Sequence, residues 1–183
     1  QHPGALHGFP SDSSQWVAGT SGGGLRFDGI DDSVAMAGLP SIAADNPRTI
    51  TAWIKLSKKP TANQTILAWG EPTPGEHWRL EVDANRRLRF SCGGGYAIAS
   101  RVVGDAQWHH VAAAFEPLVW GHPRVSDIRL YVDTQRQTIY ELNEQEVAAG
   151  EMGGLRLGAP YDPATSQPFD GILDDVQIFD SAL

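Results

Sequence analysis

The sequence has little that would build a disulfide-bonded, helical or membrane-spanning protein. Cys92 is the single cysteine among 183 residues, so neither an internal disulfide nor a cysteine zinc site can form. No apolar run approaches the roughly 20 residues of a membrane-spanning helix. No stretch of a dozen residues repeats apolar side chains at helical spacing, and the nearest short candidates are 39–45 and 141–149. These absences exclude a helical bundle and a membrane-inserted domain.

Basic side chains are also scarce. The chain has 14 Lys and Arg against 22 Asp and Glu, for a net charge of −8. The only basic concentration is formed by Arg79, Arg86, Arg87 and Arg89. A nucleic-acid surface or a site for anionic lipid would need clustered cations, so the sequence argues against both kinds of partner.

The sequence does contain many strand signals. Short segments rich in Ile, Val, Thr and aromatic residues alternate with Gly, Pro, Asn and Asp. The predicted strands centre on 24–28, 33–37, 48–57, 64–70, 77–83, 87–91, 96–101, 108–116, 126–132, 137–142, 153–158 and 169–180. About a dozen closely spaced strands predict an all-β sandwich or barrel. With 41% hydrophobic residues and no visible linker, one domain with a substantial core is expected.

The segment HWRLEVDANRRLRFSC predicts a hairpin with one apolar and one charged face. Trp78, Leu80 and Val82 share one parity in its first strand. The opposite parity carries charges of both signs, and we expect Glu81 and Arg89 to be exposed cross-strand partners.

The segment WHHVAAAF, at 108–115, predicts a strand that is covered on both faces, because both parities are apolar. His109 and His110 are adjacent and therefore point to opposite sides of the strand. Two metal ligands on one face would need alternate positions, so we expect a structural role for both.

Six phrases occur in the order found in laminin G-like domains of the concanavalin A-like jelly-roll superfamily: LRFDGIDDSVAM, TITAWIKL, QWHHVAAAF, IRLYVD, GLRLG and FDGILDDVQIFDSAL. From Leu25 to the C terminus the chain resembles this family, in particular its bacterial surface-protein subgroup. The resemblance implies a two-sheet antiparallel β-sandwich, a jelly roll, as a single domain over 1–183. It leaves 1–24 as an N-terminal arm or extra edge strand, and it implies core positions for Trp53 and Trp108.

The resemblance also implies a class of function. Members of this family are mostly non-catalytic recognition modules of secreted or cell-surface proteins, many of them carbohydrate-binding, and bacterial members are appended to envelope proteins that include FecR-like regulators. We therefore expect a module outside the cytoplasm that binds a glycan or surface polysaccharide. A structural or protein–protein module without a small ligand is the alternative. Because the chain has neither an initial Met nor a signal-peptide pattern, we expect it to be cut from a larger precursor.

A diverged glycoside hydrolase is a third alternative. Laminarinase-like hydrolases share the superfamily fold and carry Glu-x-Asp-x-x-Glu on one strand. Glu81 and Asp83 match the first two positions, but Arg86 stands at the third. Glycoside hydrolysis needs two facing carboxyl groups, and the motif lacks its last carboxylate. The sequence therefore predicts that this domain is not an enzyme.

Loop aromatics are the candidates for sugar binding, because exposed rings stack on sugar faces. Trp16, Trp69 and Trp120 lie near predicted loops or strand ends. Trp120 belongs to the insertion EPLVWGHPRVSD, where His122 and Arg124 are suited to hold sugar hydroxyls. These three residues are the predicted ligand-binding set. The alternative is that Trp120 packs over an edge of the sandwich and seals it.

The tetrapeptide Phe-Asp-Gly-Ile occurs twice, at 27–30 and 169–172, and two adjacent aspartates follow each copy. We call these two segments the acidic phrases. The resemblance implies that the first and last strands are neighbours, so the two phrases would meet. Asp174 shares its parity with apolar residues, and a buried carboxylate must be hydrogen-bonded, paired or metal-bound.

We therefore predict a structural Ca²⁺ between the two phrases, since Ca²⁺ prefers oxygen ligands. Asp28 and Asp174 would face one another and share the ion with Asp32 and the backbone near Gly29. Two alternatives stay open for these aspartates: hydrogen bonding in turns and at strand ends, or catalysis.

Overall fold

The computed structural model describes residues 4–38, 42, 46–57, 59–70, 76–118, 122–148, 154–160, 164 and 166–183. Its strands are β1 (Gly4–His7), β2 (Trp16–Ala18), β3 (Gly23–Asp28), β4 (Ser33–Met36), β5 (Arg48–Leu56), β6 (Gln64–Gly70), β7 (His77–Val82), β8 (Arg87–Ser91), β9 (Tyr96–Val102), β10 (His109–Phe115), β11 (Ile128–Val132), β12 (Gln135–Arg136), β13 (Ile139–Asn143), β14 (Leu155–Leu157), β15 (Gln167–Pro168) and β16 (Asp170–Phe179). A 3₁₀ turn, Val125–Asp127, precedes β11. No helix among the described residues is long and apolar enough to cross a membrane.

The described strands form two sheets around one core. Sheet I has the order β1-β4-β14-β6-β7-β8-β9-β13, with β15 added in parallel to β6. Sheet II has the order β12-β11-β10-β5-β16-β3-β2, and its strand pairs are antiparallel. The arrangement confirms the predicted all-β jelly-roll sandwich. The residues before Leu25 supply an edge strand to each sheet, β1 to sheet I and β2 to sheet II.

An aromatic cluster links the two sheets in the core. Trp69 and Trp78 stack in sheet I with ring centroids 4.8 Å apart, and Phe90 packs edge-on against Trp78. Phe115 of sheet II meets Trp78 at 5.6 Å. The guanidinium of Arg48, which is fully buried, lies 5.2 Å from the Trp78 ring. Such contacts add specific geometry to the area that aromatic side chains bury.

The predicted core positions of Trp53 and Trp108 are wrong, since both side chains are partly exposed. Ala52 and Ile54 occupy the inner parity of β5, so Trp53 must point outward. There its ring packs edge-on against His110 at 5.2 Å. The tryptophans of the core are Trp69 and Trp78, although the sequence placed Trp69 near a strand end.

The β7–β8 hairpin is confirmed, and Glu81 and Arg89 are directly opposite each other. Their predicted exposure is wrong, because the Glu81 side chain is 0% exposed and that of Arg89 is 13% exposed. Glu81 Oε2 accepts hydrogen bonds from the Arg89 guanidinium and from the Ser91 hydroxyl at 2.8 Å. Arg79 Nε lies 3.8 Å from Glu81 Oε1. Neighbouring cations and a hydroxyl donor thus compensate the buried charge.

The segment WHHVAAAF is an interior strand of sheet II, but the prediction that both of its faces are covered is wrong, because its outer face borders an open groove. Strand β10 pairs with β5 on one side and β11 on the other, and six of its seven residues are buried. His109 lies opposite Ile54 of the core parity, whereas His110 lies opposite Trp53 of the outer parity. The two histidines therefore face opposite sides of sheet II.

Burial predicts a difference between two Arg–Glu pairs. We expect Arg89→Gln to lower the free energy of unfolding by about 3 kcal/mol, because it leaves the buried Glu81 carboxylate without its main partner. The matched control is Arg129→Gln, which breaks the more exposed pair with Glu116 and should cost at most about 1 kcal/mol. Urea unfolding at pH 7 measures both, and equal losses would contradict the structural role of the buried pair.

Candidate functional site

A groove of ≈ 220 Å³ lies on the outer face of sheet II. Its lining combines small side chains with one tyrosine and one histidine: Thr49, Thr51, His110, Ala112, Ala114, Tyr131, Thr134 and Leu183. We call this surface the outer groove. The outer groove is open to solvent because the large apolar side chains of sheet II point to the opposite, inner face.

The shape of the outer groove follows from the order of small and large residues across three strands. Ala112 of β10 lies between Thr51 of β5 and Tyr131 of β11, so two small side chains form a floor beside one ring. His110, supported from the side by Trp53, stands two positions along β10. The signal is visible in the sequence, since the outward parity of WHHVAAAF has only His and Ala after Trp108. Sequence reasoning missed it by concentrating on loop tryptophans.

The C-terminal segment closes one end of the outer groove. The Thr49 hydroxyl donates to the carbonyl oxygen of Ser181 at 2.8 Å and accepts from the amide of Leu183 at 3.0 Å. Leu183 itself is 67% exposed and lines the groove. The last residues are therefore part of the surface that a ligand would meet.

The predicted ligand-binding set does not coincide with this groove. Trp120 lies outside the described residues. His122 and Arg124 are exposed, and neither lines the outer groove. The amide of Arg124 donates to Asp127 Oδ2 at 2.9 Å, which fixes the start of the 3₁₀ turn. Their role in ligand binding stays a prediction.

His109 is held in place by two carboxylates. Its Nδ1 lies 2.9 Å from Asp133 Oδ2 and its Nε2 lies 3.0 Å from Asp105 Oδ1. Burial acts to raise the pKa of Asp133, but His109, the amide of His110 and the guanidinium of Arg101 outweigh it and lower that pKa below its ordinary value. His109 thus connects the loop before β10, which contains Asp105, to the turn after β11, which contains Asp133. This is the structural role that we expected for it.

The glycosidase motif does not form a pair of facing carboxyl groups. Glu81 is buried in the hairpin, and Asp83 Oδ1 accepts hydrogen bonds from the amides of Asn85 and Arg87 at 2.9 and 2.8 Å. Asp83 thus stabilises the turn that reverses the chain. Arg86, at the third motif position, has φ = 67° in the same turn.

The two acidic phrases are on neighbouring strands, as predicted, but their expected partners are wrong. Asp28 of β3 pairs with Asp170 of β16, and Leu25 pairs with Leu173. Asp174 therefore lies at the opposite end of this pairing from Asp28. The four predicted calcium ligands are split by the antiparallel register into two separate places.

Asp174 is a hydrogen-bond acceptor for the turn between β2 and β3. Its Oδ2 accepts from the Thr20 amide at 2.7 Å, the Thr20 hydroxyl at 2.9 Å and the Ser21 amide at 3.2 Å. Burial acts to raise the pKa of Asp174, but these hydrogen bonds outweigh it and lower that pKa. For Asp174, the contacts match the hydrogen-bonding alternative.

The other three predicted ligands lie together in the turn between β3 and β4, which we call the acidic turn (residues 28–32). One carboxylate oxygen from each of Asp28, Asp31 and Asp32 lies within 4.8 Å of the others. Gly29 has φ = 76°, and a Cβ on it would lie only 2.8 Å from the Cβ of Asp170. Glycine is required there by both conformation and space.

Asp32 is the buried member of the acidic turn, with 3% exposure. Its Oδ2 accepts from the Asp28 amide at 2.9 Å, whereas its Oδ1 has no hydrogen-bond donor among the described residues. Burial, and then the nearby carboxylates of Asp28 and Asp31, raise the pKa of Asp32 above its ordinary value despite that hydrogen bond.

The contacts of Asp174 predict a pH-dependent stability difference. Asp174→Asn should lower the free energy of unfolding by about 1–3 kcal/mol at pH 7, because charge-assisted hydrogen bonds become neutral ones. Since the folded pKa of Asp174 is below the unfolded one, this stabilisation is present above about pH 4 and is lost as the pH falls through the folded value. Urea unfolding at pH 7 and pH 3 tests it. A difference between wild type and variant that grows on acidification would contradict this role.

Comparisons with known proteins agree with the fold. The family model described as "Concanavalin A-like lectin/glucanases superfamily" (laminin G type) matches residues 27–183. A search of curated proteins found no match.

Several solved structures share the fold at low identity. The binding domain of Paraclostridial Mosquitocidal Protein 1 aligns with a TM-score of 0.66 at 12% identity, over 92% of this chain and 42% of that one. Mouse laminin alpha1 chain domains LG4-5 align with a TM-score of 0.58 at 19% identity, over 85% and 40% of the two chains. The CBM40 of Ruminococcus gnavus IT-sialidase, solved with alpha2,3 sialyllactose, aligns with a TM-score of 0.59 at 14% identity, over 87% and 91%.

The chain spans about two fifths of the mosquitocidal and laminin chains. At these identities the likeness shows the fold alone. The family model covers most of the sequence, and its match agrees with the two-sheet sandwich. The chain therefore belongs to the laminin G-like family of the concanavalin A-like lectin/glucanase superfamily.

Proposed function

We propose that this domain is a non-catalytic carbohydrate-recognition module that acts outside the cytoplasm as part of a larger envelope or cell-surface protein. We propose the outer groove of sheet II as the place where the glycan binds. A protein–protein module without a small ligand is the competing function.

The outer groove is the observation that carries this proposal. Its floor of Ala112 and Thr51 offers methyl groups to the apolar face of a sugar ring, and Tyr131 offers an aromatic wall. His110 and Thr134 supply polar atoms for hydroxyl groups. A site that combines apolar contact with a few placed polar groups suits carbohydrate. At ≈ 220 Å³ it is smaller than the roughly 300–1,000 Å³ of sites for drug-sized ligands, so we expect it to hold one sugar unit of a longer glycan.

The contacts of the acidic residues support a non-catalytic role. Glycoside hydrolysis needs two carboxyl groups on either side of the scissile bond. Glu81 is engaged by Arg89 and Ser91, and Asp83 by the hairpin amides, so the residues that match the hydrolase motif serve the hairpin.

The comparisons supply the support for the ligand class and the location. One structural neighbour is a carbohydrate-binding module solved with a sialylated sugar, and others are laminin domains and toxin binding domains. The sequence resemblance to bacterial surface modules, including those of FecR-like regulators, supports a place in the periplasm, on the cell surface or in a secreted protein.

The test begins with a glycan array and continues by calorimetry with the sugar that binds. Tyr131→Ala should weaken binding by about 10- to 100-fold, since it removes the aromatic wall. Thr51→Tyr should abolish binding by filling the floor with a residue that strands accept. The matched control is Trp16→Ala, which removes a 55% exposed tryptophan from β2 of the same sheet and should leave affinity unchanged.

The same titrations separate the competing sites and functions. Loss of binding in Trp120→Ala with full binding in Tyr131→Ala would move the site to the 116–127 insertion. A blank array would favour the protein–protein function. Release of reducing sugar from β-glucans would contradict the non-catalytic role.

A further inference from the structure

We propose that a pocket at one end of the sandwich binds a tetrahedral oxyanion, sulfate or phosphate, through the side chains of Lys59 and Arg86. The pocket has a volume of ≈ 280 Å³, and we call it the basic pocket. Its walls come from the end of β5 and the residues after it, from the β7–β8 turn and from the loop after β9. It shares no lining residue with the outer groove, so the inference does not depend on the proposed carbohydrate site.

Two cationic side chains line the basic pocket, and neither has an anionic partner among the described residues. None of the ion pairs in the described part of the chain includes Lys59 or Arg86. The acidic residue of the lining, Asp105, is engaged elsewhere, since its Oδ1 accepts from the Gln107 amide at 2.9 Å and lies 3.0 Å from His109 Nε2. The two cations therefore outnumber one occupied carboxylate, and the pocket favours an anion.

The guanidinium of Arg86 is the second, independent observation. Its Nη1 donates to the carbonyl oxygen of Gly104 at 3.2 Å, whereas its buried Nε has no acceptor among the described residues. A buried donor without an acceptor is costly. Arginine presents five N–H donors in a fixed fork that matches the oxygens of an oxyanion, and an anion in the basic pocket would use the donors that the protein leaves free.

Arg86 differs in its contacts from the other three arginines of the basic concentration in the sequence. Arg79 and Arg89 lie beside the carboxylate of Glu81 in sheet I. The guanidinium of Arg87 lies 3.9 Å from the centroid of a tyrosine ring. In the described part of the chain, Arg86 is thus the member of this group that contacts neither a carboxylate nor an aromatic ring.

The local backbone holds Arg86 at the pocket in an unfavourable conformation. Arg86 has φ = 67°, in the left-handed region that glycine and asparagine adopt more readily. Its amide donates to the Asp83 carbonyl at 2.8 Å and its carbonyl accepts from the Val103 amide at 2.7 Å. A Cβ on Gly104 would lie 2.6 Å from the Cβ of Arg86, so only glycine lets the arginine lie across this loop. Such strain is typical of residues at ligand sites.

A small tetrahedral anion suits this arrangement. Lys59 follows β5 of sheet II and Arg86 lies in a turn of sheet I, so their donors approach the pocket from two sides. Sulfate and phosphate direct oxygens to several sides at once, and the Ser57 hydroxyl of the lining can donate to another oxygen. Two cations are too few for a nucleic acid, which needs many phosphate contacts.

The test is an NMR titration of ¹⁵N-labelled protein with sodium sulfate and with sodium phosphate, while sodium chloride keeps the ionic strength constant. We expect saturable amide shifts at Ser57, Gly104 and Ala106. The dissociation constant should be on the order of 1 mM, which is within the affinity that five non-hydrogen atoms can supply. Shifts that do not saturate, or that sodium chloride alone reproduces, would overturn the proposal.

Two variants remove the proposed ligands without disturbing the fold. Arg86→Asn places a residue that accepts the left-handed conformation, and it should weaken sulfate binding at least about tenfold because it removes charge-assisted hydrogen bonds. Lys59→Gln, an exposed change, should weaken binding about threefold, since it removes one charge at a solvated position. Wild-type affinity in Arg86→Asn would show that the site does not exist.

Two further variants separate a built site from general attraction by positive charge. Gly104→Ala keeps both cations but displaces the Arg86 side chain, so it should weaken binding about tenfold. The matched control is Arg136→Gln, which removes one positive charge from the exposed strand β12 and should bind sulfate like wild type. Equal weakening in Arg136→Gln and Arg86→Asn would contradict the proposal.

Glucose 6-phosphate, with glucose as its control, distinguishes the two sources of the anion. Tighter binding of the ester than of inorganic phosphate assigns the basic pocket to a group on a larger ligand, and weaker binding assigns it to the free ion. Either result supports the site. Tyr131→Ala in the outer groove should leave these affinities unchanged, so failure of the carbohydrate proposal and failure of this one are distinguishable.

Discussion

The double pairing of the last strand is the constraint on which the functional geometry of this domain depends. β16 pairs with β3 on one side and with β5 on the other, so the two ends of the chain meet in the middle of sheet II. A bulge after Asp174 shifts the register against β5, and Asp175 adopts φ = 51° within it. This register places Asp170 against the acidic turn and Asp174 against the turn before β3.

The two sheets use their outer faces in different ways. On sheet I the outward residues Glu81 and Arg89 form a buried ion pair, and a charge that is buried with its partners serves the stability of the hairpin. On sheet II the outward positions around Ala112 and Thr51 are small, so the surface is concave and its polar groups are available. An open groove on the outer face of sheet II is therefore compatible with a packed core, because the large apolar side chains of this sheet lie on the inner parity.

The sequence predicts those features that depend on local patterns. Alternation located the strands and the hairpin, and the order of six motifs identified the fold and the neighbouring first and last strands. Prediction from the sequence failed for features that depend on long-range strand register or on side-chain packing. The alternation in β5 already places Trp53 on the outer parity, and its predicted core position followed from the family resemblance instead. Trp69 lies in a strand that is buried throughout, so its place in the core depends on packing that the local pattern does not define. The same holds for Asp28, whose partner depends on a register that parity alone does not define.

We have proposed that a glycan binds across β5, β10 and β11 on the open face of sheet II. NMR spectra of ¹⁵N-labelled protein, recorded while a sugar from the array is added, test it most directly. We expect the largest amide shifts at Thr51, Ala112 and Tyr131, with little change at Glu81 of sheet I. Shifts concentrated at His122 and its neighbours, with none in the outer groove, would contradict it.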